Sequence, residues 1–253
     1  MINIILCEGF DEVYLLGYYL YKTAGWKYTK DGKLSVLFDV PKLESRNQKI
    51  EIYERNDDRT AIWSIGGKDS LEIPFHFISK VNKHHPSHGI KQVFILMDRD
   101  RMEIQDCLNQ LEIVMRKMNL PIDDLKNNQS NILNYEIENE VYQLHIIPVV
   151  IPFDQEGAIE TILMSSIASK NDECRFIVDH AKQYVSSCRV SGKVSNYLKS
   201  NREQLKAEFS SVISITNPDR STVLFNDLLM STEWEMSKEI QEHFQVFCDL
   251  MHA

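Results

Sequence analysis

No apolar run in this chain approaches the roughly 20 residues that a membrane-spanning helix requires, which excludes a helical integral membrane protein. Cysteine is scattered: Cys7, Cys107, Cys174, Cys188 and Cys248 form no Cys-x-x-Cys pair, so neither a zinc knuckle nor a disulfide framework is indicated. They read as small buried hydrophobes. There is no Pro/Gly/Ser-rich linker, no internal repeat and no low-complexity tract, so composition alone does not cut the chain into independent pieces. The opening Met-Ile-Asn-Ile-Ile-Leu-Cys-Glu has no basic segment and meets an acid too early for a secretory signal; a cytoplasmic protein without membrane partners is expected. Positive charge is also short, with 28 Lys and Arg against 37 Asp and Glu, a net of −9. That balance argues against broad, charge-driven attraction to nucleic acid, whose non-specific affinity comes from cations neutralising phosphates. It leaves room for a local basic groove, and for phosphate substrates reached through a bound cation, because a divalent ion reverses the sign of an acidic pocket.

What is present suits a globular protein with a sizeable core: 253 residues, 43% hydrophobic and 26% charged, enough for one large domain or one domain with a substantial appendage. The most informative stretch runs from Ile90 to Met102. Val93 to Met97 is apolar without alternation, the pattern of a strand buried on both faces of an α/β sheet, and it stops at Asp98 and Asp100. In open α/β sheets ligands bind at the carboxyl ends of the strands. Two acids there are either a metal site or a solvated loop.

In chain order, Asn3 to Cys7 reads as a strand ending in Glu8, Gly9 permits the turn, and Val13 to Ala24 reads as a helix stopped by Gly25. Asp11 and Glu12 in its opening turn complement the helix dipole. Leu34 to Val40 and Lys49 to Glu54 resemble two strands of a hairpin or meander. Asn56-Asp57-Asp58 is a turn signal before a strand at Thr60 to Ile65. Gly66-Gly67-Lys68 then leads into a helix over Leu71 to Lys83, and with the Val93 to Met97 strand this makes a βαβ unit, expected parallel and right-handed. A helix over Met102 to Met118, a loop over Asp123 to Asn131, a short strand near Ile132 to Ile137, a buried strand at Leu144 to Ile151 and a helix from Ile159 to Ala168 follow. Beyond Asn171 the pattern is amphipathic helices: Glu173 to Ser187, Lys193 to Phe209 and Glu235 to Met251.

Three strand-like runs therefore end in acids: Glu8; Asp98 with Asp100; and Asp154 with Glu156 and Glu160. In a parallel sheet these ends share one edge. Clustered carboxylates repel unless a cation joins them, and hard oxygen donors favour Mg²⁺ or Mn²⁺ over zinc. Asp154, Glu156 and Glu160 read equally as acids at a helix N-terminus or as ligands of a second ion. His84, His85 and His88 read as a solvated helix end, and Trp26, Trp63 and Trp234 as packing residues rather than a base-stacking platform.

The residues Glu8-Gly9 after the first strand, Gly66-Gly67-Lys68 in the middle and Asp98-Arg99-Asp100 after a later strand resemble the Toprim domain, which occurs in topoisomerases, bacterial-type primases, recombination-repair proteins and OLD-family nucleases. The Gly-Gly-Lys turn and the acids from Asp154 to Glu160 are more similar to the OLD-type and related uncharacterised Toprim proteins than to topoisomerases. The resemblance covers residues 1–168. It implies an α/β, Rossmann-like fold with a mostly parallel central sheet flanked by helices and a Toprim-like domain over residues 1–170 with an inserted β segment near residues 34–54; the amphipathic pattern that follows reads as a helical C-terminal region over residues 171–253, either a separate appendage or packed on the same domain.

It further implies that Glu8, Asp98 and Asp100 are catalytic and hold Mg²⁺ or Mn²⁺, Glu8 as ligand or general acid/base, with Asp154, Glu156 and Glu160 as candidates for a second ion. Lys68, Gly67 and Arg99 become candidates for binding substrate phosphate. By its position alone Lys68 is equally a solvated loop lysine, and Arg99 equally an arginine that neutralises the acids beside it. The expected activity is a Mg²⁺-dependent nuclease acting on DNA or other nucleic acid, or a phosphotransferase. No tyrosine nucleophile is identifiable, so strand passage is not expected. The alternative is a non-catalytic protein that binds a nucleotide or nucleic acid on the same fold, alone or with a separate protein subunit.

Overall fold

The structure is a computed structural model that describes residues 1–43, 48–67, 70–218, 225–230 and 232–251. Its elements are β1 (Ile2–Cys7), α1 (Phe10–Ala24), β2 (Lys27–Thr29), β3 (Lys49–Arg55), β4 (Asp58–Ser64), α2 (Glu72–His84), β5 (Gln92–Asp98), α3 (Ile104–Lys117), β6 (Asn131–Ile137), β7 (Glu140–Ile151), α4 (Ile159–Ala168), α5 (Asp172–Val190), α6 (Asn201–Thr216), α7 (Phe225–Met230), a 3₁₀ turn at Trp234–Met236 and α8 (Lys238–Leu250). The fold is α/β, a seven-stranded mixed sheet in the order β2-β3-β4-β1-β5-β7-β6 with flanking and C-terminal helices. β1 lies parallel between β4 and β5. Hydrogen bonds from His145 N–H to Lys91 O (2.9 Å) and from Arg99 N–H to Ile151 O (2.6 Å) show β7 running in the direction of β5. The four central strands are thus parallel, and antiparallel strands β2, β3 and β6 finish the edges. No helix among the described residues is long and apolar enough to cross a membrane.

The chain forms two compact units. One comprises Met1–Met97, Glu103–Val150 and the chain from Phe244 onward; the other comprises Asp98–Met102 and Ile151–His243. In the first unit β5 is buried throughout Gln92 to Met97, as its unbroken apolar run requires, and α1 buries Val13, Leu15, Leu16, Tyr19 and Leu20 completely. The second half of α8 belongs to the same core, with Phe247 ring-to-ring at 5.3 Å from Phe94 and Phe244 at 5.8 Å from Tyr19. In the second unit α4 is nearly all buried and packs against α5 and α6.

Two sequence expectations are corrected. Leu34 to Val40 is not a strand. Ser35 N–H bonds Phe38 O (3.2 Å) and closes a turn, only Lys33 and Asp39 make an isolated bridge, and Val36 is 95% exposed. The strand that pairs with β3 is Lys27–Thr29 instead, too short and too exposed to show an apolar pattern. The helix expected from Lys193 starts at Asn201, because Ser200 and Glu203 form a reciprocal capping box there. α4 belongs to the same compact unit as α5 and α6.

Candidate functional site

β5 ends at Asp98, and the next four residues turn back on themselves: Met102 N–H reaches Arg99 O at 3.1 Å. This turn is strapped to the loop between β7 and α4. Asp100 and Gly157 exchange both backbone hydrogen bonds, each at 2.7 Å. Asp100 takes a left-handed conformation (φ 56°), which Asp tolerates better than most residues, and Gly157 one (φ 142°) in which a side chain would be strained. A Cβ on Gly157 would also stand 2.1 Å from Thr161 Oγ1, so glycine is required twice over. The Asp-Arg-Asp turn is thereby held against the segment carrying Asp154, Glu156 and Glu160.

The Asp98 side chain is 6% exposed, and its Oδ1 accepts a hydrogen bond from Ile159 N–H, the first residue of α4, at 3.3 Å. The residue before that helix is Ala158, which has no side-chain acceptor with which to cap it. A carboxylate from 61 residues earlier therefore serves the first N–H and the positive end of α4. Within the same turn Thr161 Oγ1 accepts from Ala158 N–H at 3.2 Å. Glu160 is 6% exposed, with Lys206 Nζ 3.8 Å from its Oε1, so an ion pair with α6 accounts for its burial. Asp154 and Glu156 are exposed on the loop. Asp154 lies 4.0 Å from Nε2 of His243, a buried residue that sequence reasoning missed. His243 Nε2 accepts from Phe153 N–H (3.1 Å), and its Nδ1 faces Glu239 O (2.6 Å). Those partners select the neutral tautomer with the proton on Nδ1, which donates to Glu239 O.

The arginines divide by direction. Arg99, expected on substrate phosphate, is 8% exposed and points inward: its Nε donates to Met102 O (2.8 Å) and Nη1 to Phe153 O (3.5 Å). Its Nε and Nη1 serve carbonyls of the two loops, so it braces the site's backbone. Arg101 is the exposed one, with Nη2 2.5 Å from Asn201 Oδ1; Arg189 Nη1 donates to the same oxygen at 2.7 Å. Neither Asn201 nor Arg189 carries a sequence motif, although the Ser200–Glu203 capping box marks where the helix presenting Asn201 begins.

In the first unit Glu8 is half-buried, one residue past β1. Its carbonyl accepts from Gly66 N–H at 3.1 Å, and Cys7 O accepts from Ile65 N–H at 2.8 Å, which ties the glycine turn to the end of β1. Gly66 (φ 80°) and Gly67 (φ 134°) both hold conformations that favour glycine. Lys68, expected to reach a phosphate, lies outside the described residues. Glu12 is buried in the first turn of α1 at 5% exposure, its Oε2 only 2.9 Å from where a Cβ on Gly9 would sit, so the Glu8-Gly9 turn tolerates no larger residue at Gly9 without displacing it. Among the described residues no group of three or more His, Cys, Asp or Glu is arranged to hold a metal ion.

No protein-family model matches the chain. No curated protein matches it either. A crystal structure of a hypothetical protein from Pyrococcus horikoshii OT3 does, with a TM-score of 0.52 and 10% identity, covering 100% of this chain and 99% of that one. At that identity the likeness is one of fold alone, and it extends over the whole chain: an α/β sheet protein with its C-terminal helices included.

Proposed function

We propose that the chain is a Mg²⁺- or Mn²⁺-dependent Toprim-type enzyme that cleaves phosphodiester bonds in nucleic acid. The observation that carries this reading is Asp98: a carboxylate at the end of a central strand, 6% exposed, held on the N-terminus of α4, with Asp100 two residues on in a strapped turn. Two aspartates from one turn fit Mg²⁺, which takes one or two protein carboxylates and keeps water in its other positions. Asp98 and Asp100 would hold the ion; when bound, it would polarise a phosphoryl oxygen and stabilise charge on the attacking or leaving oxygen.

The remaining steps belong to the chain's own groups. Ile159 N–H orients the Asp98 carboxylate, Gly157 fixes the Asp100 backbone, and Arg99 keeps the turn closed from inside. The Toprim resemblance would give Glu8, half-buried one residue beyond β1, the role of metal ligand or general acid/base. Arg101 is the cation assigned to the substrate backbone. Glu160 is left to its pair with Lys206, so a second ion would rest on Asp154 and Glu156.

The second reading is a non-catalytic nucleotide- or nucleic-acid-binding protein on this fold, favoured by the acidic balance of 37 Asp and Glu against 28 Lys and Arg. Incubating the full chain with circular single-stranded DNA, duplex DNA and RNA, with Mg²⁺ or Mn²⁺, separates the two. Metal-dependent cleavage that falls at least about 100-fold in Asp98→Asn/Asp100→Asn supports the enzyme, this being the scale of losing a principal electrostatic group. Cleavage that survives the substitutions assigns it elsewhere. Absence of both cleavage and calorimetric metal binding would sink the catalytic reading, and nucleotide binding without either would establish the second.

A further inference from the structure

We propose that the groove between α2 and residues 38–42, in the first unit, binds one nucleotide unit, an aromatic base together with its phosphate. This rests on the nucleic-acid reading above but concerns a different surface. The groove encloses about 500 Å³, within the usual range for a small-molecule site. Helical spacing builds one wall: Ile73, Phe77, Lys80 and His84 recur every three or four residues and face it together. The other wall carries Phe38 and Lys42.

Two features make this more than a solvated helix face. The first is an aromatic surface: Phe38 and Phe77 are half-buried with ring centroids 6.4 Å apart, and Phe38 stacks on His85 at 5.6 Å. A base can stack there because every base has a π-face, and such contacts tolerate any sequence. Ile73 beside them is 49% exposed, apolar surface that a base would cover. The second feature is charge. Among the described residues that line the groove, Lys42 and Lys80 are accompanied by Asp39 as the one acid, in a chain of net charge −9. Neither lysine makes an ion pair or hydrogen bond among the described residues, whereas Lys49, Lys83 and Lys206 elsewhere are paired with acids. Lysine is a point-charge donor suited to a phosphate that must be held without fixed geometry. Aromatic faces beside uncommitted cations fit a nucleotide, whose base and phosphate use both features at once.

The same chemistry is offered by a free nucleotide and by a single strand, so the test uses both. Binding of fluorescein-labelled (dT)12 by anisotropy and of dTMP by calorimetry is measured on the full chain in EDTA, where the metal reading has no part. Lys42→Ala/Lys80→Ala is compared with Lys22→Ala/Lys117→Ala, which removes the same charge from other helices, and Phe38→Leu reports on stacking. We expect the groove pair to weaken binding at least tenfold, the control pair less than threefold, and the salt dependence for (dT)12 to fall by about 0.7 in slope for the one phosphate no longer neutralised. Thermal melts confirm folding, since both lysines are exposed. Loss of dTMP binding in the groove pair supports the site and makes a free nucleotide sufficient. Loss for (dT)12 with no dTMP binding to wild type supports it and assigns a strand. Wild-type protein that binds neither probe, or binding equally weakened by the control pair, overturns it. Because no metal is present, failure here leaves the cleavage test untouched, and the converse holds as well.

Discussion

Asp98 is at once a strand terminus, a helix cap and the proposed metal carboxylate, and these roles separate by substitution. Asp98→Asn keeps an acceptor oxygen for Ile159 N–H, so its thermal midpoint should stay near that of the parent while calorimetric Mg²⁺ binding is lost. Asp98→Ala removes the cap as well and should lower stability by about 1 kcal/mol. Equal melting of the two variants would refute the capping role. Tyr19 supplies a pH-dependent test. Burial first, then the nearby Cys248 and Asp249, push its phenol from 10.0 to about 12. Below pH 10 the phenol is neutral whether the chain is folded or unfolded, and its contribution is fully present. Between pH 10 and about 12 only the unfolded chain ionises it, so stability falls as pH rises. Melting temperature should therefore decline across that window, less steeply in Tyr19→Phe; an unchanged slope would place the effect on the other groups that burial raises, Tyr53, Tyr135 and Cys248. At this scale Asp98 and Asp100 are legible in the sequence because an apolar run stops on them. The capping role is not, because its partner lies 61 residues away, and the inward turn of Arg99 depends on carbonyls of Met102 and Phe153 that no motif marks.

Among the elements, α1 inverts a general expectation. A glycine inside a helix costs about 1 kcal/mol against alanine, so Gly17→Ala would ordinarily stabilise. Here a Cβ on Gly17 would stand 1.9 Å from the hydroxyl oxygen of Tyr53 on β3, which is 7% exposed and donates to Glu51 Oε2 at 2.8 Å. Gly17→Ala should therefore lower the melting temperature, and in a Tyr53→Leu background the same change should be neutral or favourable. A thermodynamic cycle showing no coupling between the two positions would disprove the close packing. The strands β1, β4, β5 and β7 are legible because burial on both faces leaves unbroken apolar runs. β2, at three residues, leaves no such run, and Leu34 to Val40 imitates a strand because branched residues also occupy exposed turns: Val36 carries strand propensity and no burial.

For the molecule as a whole, the sequence suggests a domain ending near residue 170 followed by a helical appendage, and this division can be tested directly. The chain returns at Phe244 to the unit where it began. Phe244 and Phe247 are fully buried there, covering Tyr19 and Phe94, while Cys248 lies 3.4 Å from Thr23 and Gln245 accepts from the Tyr19 hydroxyl at 3.2 Å. Replacing one large buried aromatic by alanine costs about 3–5 kcal/mol, against a total stability of roughly 5–15 kcal/mol for a domain. A fragment ending at residue 170 loses both phenylalanines together and leaves an apolar surface of β5 and α1 open to water. It should show no cooperative thermal transition, and the full-length Phe247→Ala variant should melt well below the parent. If the fragment melted cooperatively near the parent's temperature, the first unit would be complete without α8, and the boundary read from the sequence would stand.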